Sequence, residues 1–214
     1  MEKLPISLCI LVHNSGENLR KVVEKHRPFV KEVIVLDQGS TDNTGKIAEE
    51  VADLVLKRRH KGYCEPDREY LFSCAKEPYI LNLDDDEFLS DAAIENLPSV
   101  LKSDGDIFWF HRKNLVDGVD ISPIMGNDPQ PRLWKQGALR WGDKIHVYPE
   151  APVNAKIFFL DVEIIHDRTL EGLKKANIAR NRFVDDEMTK KQLLFIGAVE
   201  DFLSKKREEV EQDV

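Results

Sequence analysis

Short apolar runs alternate with amphipathic segments along the first half of the chain. The apolar runs are rich in β-branched residues and predict strands at 6–12, 32–37, 54–56, 79–83 and 107–112. The segments between them have helical spacing and predict helices at 17–25, 40–52, 66–75 and 91–101. Strands and helices that alternate in this way predict an α/β fold, with a mostly parallel central sheet and helices on both faces.

The pattern changes after Arg112, where Gly, Pro, Asn and Asp cluster in DGVD, MGNDPQPR and KQGALRWGDK. These clusters predict hairpins and loops. Helical periodicity returns from Thr169 onward. We therefore expect a single domain at 1–214, with one half at 1–112, an irregular region at 113–168 and C-terminal helices at 169–214.

The last predicted helix carries an apolar face. It is formed by Leu193, Ile196, Val199 and Leu203. We expect this face to pack on the core of the domain, and a dimer contact or a membrane-surface contact are the alternatives.

Composition narrows the range of partners and locations. The net charge of −8 disfavours broad binding to nucleic acid or to an anionic membrane, because phosphate-binding surfaces are normally basic. Three cysteines without a CxxC pair suggest neither a disulfide framework nor a thiolate zinc site. The sequence has no signal peptide and no run of about 18 apolar residues, so we expect a cytoplasmic protein without a membrane span. Peripheral contact with the inner face of a membrane is an alternative.

Polar residues follow three of the predicted strands. His13 and Asn14 end the first, Asp37 ends the second, and the acidic run from Asp84 to Glu87 ends the strand at 79–83. In an open parallel sheet, ligands bind outside the carboxyl ends of the strands, so these residues are expected to line one cleft.

Two carboxylates of the acidic run have the spacing of a metal site. If the run is extended, Asp84 and Asp86 point to the same side, because side chains alternate along a strand. Hard cations such as Mg²⁺ or Mn²⁺ prefer oxygen ligands and leave coordination positions for phosphates. The run therefore favours a metal-bridged diphosphate, and Asp85 is interpreted as structural.

Other functions of an acidic strand end lack a required part. A Walker B strand needs a GxxxxGK[ST] loop, and a dinucleotide-binding fold needs GxGxxG, and the sequence contains neither. A phosphatase that attacks through the first aspartate of DxDx[TV] would not have Phe88 at the fifth position.

Three segments together resemble the family 2 glycosyltransferases, which have the GT-A fold. They are ISLCILVHNSGENL, EVIVLDQGSTDNTGKIAEE and YILNLDDDEFLS, and they span roughly the first 110 residues in order. The second is similar to the family signature V-D-D-G-S-x-D-x-T, and the third contains the DxD metal motif. The form LDDDE looks most like the subgroup of lipopolysaccharide core glucosyltransferases.

The resemblance implies roles for these positions. The segment Val12, His13 and Asn14, together with Asp37, would hold the base and ribose of a nucleoside-diphosphate sugar. Asp84 would lie near the ribose or the metal, and Asp86 would bind the metal, Mg²⁺ or Mn²⁺. Arg68 would meet the diphosphate, although a helix-surface pair with Glu65 or Glu69 is the alternative.

The second half resembles the same subgroup in two stretches. In RLWKQGALRWGDKIHVYPE, the matching residues are Arg132, Trp141 and His146, and Val147 stands where the subgroup often has Glu. Arg132 is a second candidate contact for the diphosphate. In VEIIHDRTLEGLKKAN, the match makes His166 a candidate ligand of the metal or of a phosphate.

Family 2 enzymes invert configuration, which implies a general base near the acceptor hydroxyl. The sequence offers Glu87, Asp143 and Glu150 without deciding among them. The acceptor, whether a saccharide, a lipid-linked glycan or a protein, is not identified. A sugar-1-phosphate nucleotidyltransferase and a non-catalytic module that binds nucleotide sugars or divalent ions are the alternative functions.

Overall fold

The computed structural model describes residues 2–61, 65–142, 149–180 and 186–212. The strands in these residues are β1 (Leu4–Val12), β2 (Val30–Asp37), β3 (Leu54–Lys57), β4 (Tyr79–Leu83), β5 (Glu87–Leu89), β6 (Ile107–Val116), β7 (Val119–Asp120), β8 (Pro129–Lys135) and β9 (Ile157–Arg168). The helices are α1 (Glu17–His26), α2 (Thr44–Val51), α3 (Glu65–Ser73), α4 (Asp91–Lys102), α5 (Ser122–Met125), α6 (Leu170–Arg180) and α7 (Asp186–Gln212).

The strands form one sheet in the order β3-β2-β1-β4-β8-β6-β9-β5, and β7 pairs with β6. The first four strands are parallel, as is the pair β6 and β9. Strand β8 joins these two parallel parts by antiparallel pairing with β4 and β6. The predicted α/β fold is therefore confirmed, and the loop-rich region after Arg112 supplies the antiparallel part.

Both faces of the sheet are covered. In β1, Ile6, Leu8 and Ile10 belong to one core cluster, whereas Cys9 belongs to the cluster on the opposite face. Helices α1, α2 and α4 contribute to the first cluster, and α3 contributes Leu71 and other residues to the second. This double burial explains why β1 is a continuous apolar run rather than an alternating one.

The predicted hairpin at DGVD connects β6 and β7. Asp117 (φ 49°) and Gly118 (φ 77°) both have positive φ, as a type I′ turn requires. The hairpin extends β6 to Val116, four residues beyond the predicted end of this strand. One of the additional residues, Asn114, contacts His166 in the candidate site.

The apolar face of α7 packs within the chain, with one exception. Val199 and Leu203 pack with Leu173 and neighbouring residues, and Ile196 is also buried, but Leu193 is 57% exposed. The assignment of Leu193 to the packed face was wrong, because the cluster that covers the helix does not reach its first turns. Within the described residues, no helix has both the length and the apolar composition that a membrane crossing requires.

Candidate functional site

The carboxyl ends of β1, β2 and β4 lie side by side at one edge of the sheet. Strand β1 pairs in parallel with both neighbours, and Val12 lies opposite Asp37. Asp84 directly follows the last residue of β4. The structure therefore brings the predicted polar strand ends to the same edge.

Asp37 and Asn14 organise the loop after β2. The Oδ1 atom of Asp37 accepts hydrogen bonds from the backbone N–H (2.9 Å) and the hydroxyl (2.6 Å) of Ser40. Asn14, at φ 55°, donates its N–H to Ser40 Oγ and accepts from the N–H of Thr41. A Cβ atom added to Gly45 would lie only 3.1 Å from the other carboxylate oxygen of Asp37, Oδ2. These contacts fix the carboxylate and leave little space beside it.

His13 belongs to a stacked pair that the sequence did not indicate. Its ring lies 4.0 Å from that of His60, and the two planes differ by 4°. Gln38 supports both rings, because its carbonyl oxygen lies 3.1 Å from His13 Nδ1 and its Oε1 lies 3.2 Å from His60 Nδ1. Burial, followed by the neighbouring His13, lowers the pKa of His60. Val12 is buried and takes part through its backbone oxygen, which accepts from Gln38 N–H.

Asp84 lies between two buried arginines. Arg132 Nη2 is 3.0 Å from one carboxylate oxygen, and Arg68 Nη2 is 3.5 Å from the other. Burial alone would raise the pKa of Asp84, but the guanidinium groups of Arg132 and Arg68 hold this pKa well below its ordinary value. Asp84 is therefore ionised and fixed in place.

The acidic run forms a tight turn and is not extended. The N–H of Glu87 donates to the carbonyl oxygen of Asp84 at 3.1 Å, and residues 85 and 86 are in turn conformation. The predicted extended conformation, with Asp84 and Asp86 on one side, is therefore wrong, although the turn keeps both residues at the same sheet edge. Long-range contacts to Glu87 stabilise this turn.

Glu87 is fully buried in these contacts. Its Oε1 accepts from Arg132 Nη2 at 2.7 Å and lies 3.3 Å from Arg112 Nη1. Its Oε2 accepts the N–H of Asp84 at 3.2 Å. Glu87 therefore offsets the positive charge of two guanidinium groups and is fixed in place by them.

Asp86 contacts the end of β9. Its Oδ1 lies 3.3 Å from His166 Nε2, and its Oδ2 accepts from Arg168 Nε at 2.9 Å. Burial would raise the pKa of Asp86, but the hydrogen bond and charge of His166, followed by Arg168, lower it. The neighbouring Asp85 differs, because burial and the charge of Asp86 raise its pKa to about 7.

The His166 ring is oriented by Asn114 on β6. Asn114 Oδ1 lies 2.8 Å from His166 Nδ1, while Asn114 Nδ2 donates to Asp128 Oδ2 and to the carbonyl oxygen of Arg112. Both partners of Nδ2 are acceptors, so the amide oxygen must face the histidine, and His166 Nδ1 must carry a hydrogen. Nε2 is then the ring nitrogen that faces Asp86 Oδ1.

The donor set suits a divalent cation that also binds substrate. Among the described residues, no three His, Cys, Asp or Glu side chains are grouped to hold a metal. His166 Nε2 and Asp86 Oδ1 nevertheless provide a nitrogen and an oxygen 3.3 Å apart. Such a pair fits Mn²⁺ or Mg²⁺ if oxygens of a diphosphate complete the coordination, as is usual for Mg²⁺ at phosphate sites.

The other predicted residues have different surroundings. Arg68 lies over the ring of Trp141, 4.7 Å from its centroid, whereas Glu69 accepts the backbone N–H of Trp141. Glu150 is exposed, and its backbone pairs with Arg140. The remaining candidates, Asp143 and His146, lie outside the described residues together with Val147.

Sequence reasoning missed three residues next to the acidic turn: Arg112, Asn114 and Arg168. Each lies two residues from another polar residue of the site along β6 or β9, and Asn114 lies opposite His166 in the sheet register. Polar residues at a spacing of two along a strand were the available signal. The register of β6 against β9, which makes this signal meaningful, is a tertiary property.

Comparison with known proteins identifies the family. The model of "Glycosyl transferase family 2" matches residues 7–149. The lipopolysaccharide core biosynthesis glycosyltransferase LpsC of Rhizobium meliloti is 31% identical over 163 residues, which are 71% of this chain and 60% of LpsC. An uncharacterized glycosyltransferase of Rickettsia felis is 28% identical, over 63% of this chain and 44% of that protein. The chain thus spans about half the length of these relatives.

Similar solved structures agree on the fold. The structure of S. aureus TarS 1-349 in complex with UDP-GlcNAc aligns with a TM-score of 0.61, over 89% of this chain and 70% of that one. The sequence identity is 14%, so this similarity concerns the fold alone. The chain belongs to glycosyl transferase family 2 and has the GT-A fold of that family.

Proposed function

We propose that the chain is the catalytic domain of a metal-dependent, inverting glycosyltransferase that uses a nucleoside-diphosphate sugar. The observation that carries this proposal is the turn after β4, which holds Asp84 between Arg68 and Arg132 and holds Asp86 against His166. This turn lies at the sheet edge where β1 and β2 also end, which is where ligands bind in open α/β sheets. The similarity to TarS, solved with UDP-GlcNAc, supports a donor of the UDP-sugar class.

The donor would lie across three strand ends, with its base at the loop formed by His13, Asn14 and Asp37. Arg68 and Arg132 carry the positive charges that contact Asp84, at 3.5 and 3.0 Å, and suit the diphosphate. Because both also contact Asp84, the carboxylate orients them before the donor arrives. This preorganisation lowers the entropic cost of binding.

In the reaction, the acceptor oxygen attacks the anomeric carbon while the bond from that carbon to the diphosphate oxygen breaks. The electron pair of the broken bond leaves with the nucleoside diphosphate, and the hydroxyl proton passes to a carboxylate base. A divalent cation held by Asp86 and His166 would offset the negative charge that develops on the diphosphate. The contact from Asn114 orients the His166 ring so that Nε2 faces Asp86, with which it would hold the cation.

The contacts of the three candidate bases differ. Glu87 is fully buried and paired with Arg132 and Arg112, so we assign it a positioning role for the turn. Glu150 is exposed, and Asp143 lies outside the described residues; both stay candidates for the base. The acceptor is proposed to be a saccharide, since LpsC is named for lipopolysaccharide core biosynthesis.

Donor hydrolysis tests this function. Purified protein is incubated with Mn²⁺ and a panel of nucleoside-diphosphate sugars, and the released products are separated by anion-exchange chromatography. We expect slow release of nucleoside diphosphate from one donor, and loss of this release in Asp86→Ala. Asp161→Ala, which removes an exposed carboxylate from the same strand as His166, is the matched control and should keep full activity.

The products also separate this proposal from its rivals. Release of pyrophosphate would indicate a nucleotidyltransferase, and donor binding without any release would indicate a non-catalytic module. Either outcome, or full activity of a folded Asp86→Ala variant, would reject the proposal.

A further inference from the structure

A cavity of about 160 Å³ lies between the sheet and the C-terminal helices. Its lining residues come from β6, β9, α5, α6, α7 and the residue before α5, and none precedes Arg112 in the chain. It is therefore separate from the strand ends of the proposed donor site. It nevertheless borders that site, since His166 and Arg168 line the cavity and contact Asp86, and Arg112 lines it and contacts Glu87.

The polar wall of this cavity is cationic or neutral. It consists of Arg112, Asn114, His166, Arg168 and Asn177. Among the described lining residues there is no Asp or Glu, although the whole chain has 39 acidic and 31 basic residues. A wall of this composition favours a ligand with negative charge.

Arg168 has the hydrogen-bond donors to recognise such a ligand. Its Nε is occupied by Asp86, but within the described part of the chain its two terminal nitrogens have no hydrogen-bond acceptor. Arg112, in contrast, directs its guanidinium toward Asp128 and Glu87. The open edge of a guanidinium matches the oxygens of a phosphate or a carboxylate.

The opposite wall is apolar and includes Leu173 and Phe195. The volume is smaller than the roughly 300 Å³ at which sites for drug-sized ligands begin. The cavity therefore suits a small charged group with the apolar face of a sugar ring or carbon skeleton beside it.

We propose that this cavity is an acceptor subsite for an anionic group, a phosphate monoester or a carboxylate, carried close to the attacking hydroxyl and selected by Arg168. The proposal rests on the proposed function, because Arg168 connects the cavity to Asp86. One guanidinium then holds both the proposed metal ligand and the acceptor, which brings the acceptor hydroxyl to the reacting carbon.

Calorimetric titration with defined probes tests the subsite. The protein is first saturated with UDP and Mg²⁺, so that phosphate probes cannot occupy the donor site. Glycerol 1-phosphate and glucuronate are then titrated, with glycerol and glucose as neutral counterparts. We expect saturable binding of at least one anion and no measurable binding of its neutral counterpart, and the two anions distinguish a phosphate from a carboxylate ligand.

Two variants locate the binding. Asn177→Asp places a carboxylate in the cavity at almost unchanged volume and should weaken anion binding at least tenfold through like-charge repulsion. Arg168→Gln should weaken it by about 10- to 100-fold, the effect of losing hydrogen bonds to a charged group. The control is Asn96→Asp, since Asn96 makes the same amide contact to the carbonyl four residues earlier (2.8 Å, against 2.9 Å for Asn177) on the exposed face of α4.

Three results would each overturn the proposal. They are equal anion affinity in Asn177→Asp and wild type, neutral counterparts that bind as tightly as the anions, and the absence of saturable anion binding. If Asn177→Asp is unfolded by circular dichroism, Arg168→Gln decides alone. UDP binding is measured separately, and its absence counts against the proposed donor. In that case the difference in anion affinity between Asn177→Asp and wild type still tests the cavity, because Asn177 lines the cavity and not the donor site.

Discussion

Replacing Glu87 with glutamine should destabilise the fold, because this carboxylate neutralises the buried Arg132 and the partly buried Arg112. Glu87 has no exposed surface, Arg132 is 3% exposed, and their charged atoms lie 2.7 Å apart. Removing one partner of a buried ion pair costs about 3–5 kcal/mol. Glutamine keeps the volume and one acceptor oxygen, and Arg132 keeps Asp84, so we expect the lower end, about 3 kcal/mol.

Urea unfolding followed by circular dichroism measures this loss of stability. For a chain of this length, about 3 kcal/mol also lowers Tm by roughly 6–12 °C. Glu163→Gln is the control, since Glu163 is an exposed glutamate on β9 and its substitution should change stability by less than about 0.5 kcal/mol.

The result also decides between two roles for Glu87. A positioning residue gives a less stable protein whose remaining folded fraction still hydrolyses donor. A general base gives a protein of unchanged stability that has lost turnover. An unfolding midpoint of Glu87→Gln equal to that of wild type would therefore refute the reasoning from burial.

Two further predictions concern histidines. His26 is buried, and burial lowers its pKa to about 4, so the unfolded chain binds a proton at this residue more tightly than the folded chain does. The free energy of unfolding should therefore fall as pH drops from about 6.5 to about 4, by up to about 1.4 kcal/mol per pH unit. His26→Gln should remove this contribution, measured by urea unfolding at pH 4.5 and 7.5. Asn114→Leu removes the hydrogen bond that orients His166 and should weaken Mn²⁺ binding in the presence of UDP by about 10- to 100-fold, measured by electron paramagnetic resonance. Asn127→Leu, which breaks an exposed contact to His111 of the same kind, should leave Mn²⁺ affinity unchanged; equal affinities in both variants would contradict the assigned role.

Local pattern was sufficient for the elements that carry the donor half. Strands β1 and β2 are apolar on both faces because helices cover both sides of the sheet, and this makes them recognisable as short continuous runs. Strand β4 is recognisable in the same way. Once the ends of these strands are known, Asp37 after β2 and Asp84 after β4 can be predicted to lie at one edge of the sheet. The exposure of Leu193 could not be predicted, because helical spacing defines an apolar face but not how much of that face other residues cover.

The sequence by itself determined the α/β fold, the polar strand ends and the family, because each of these depends on neighbouring residues and their periodicity. Only the tertiary structure decided the shape and charge balance of the acidic run. Its turn is held by Arg112 and Arg132, which are 25 and 45 residues away from Glu87. The acidic run is stable because these distant arginines lie beside it and offset its negative charge. Their proximity is set by the pairing of β8 and β6 with the rest of the sheet.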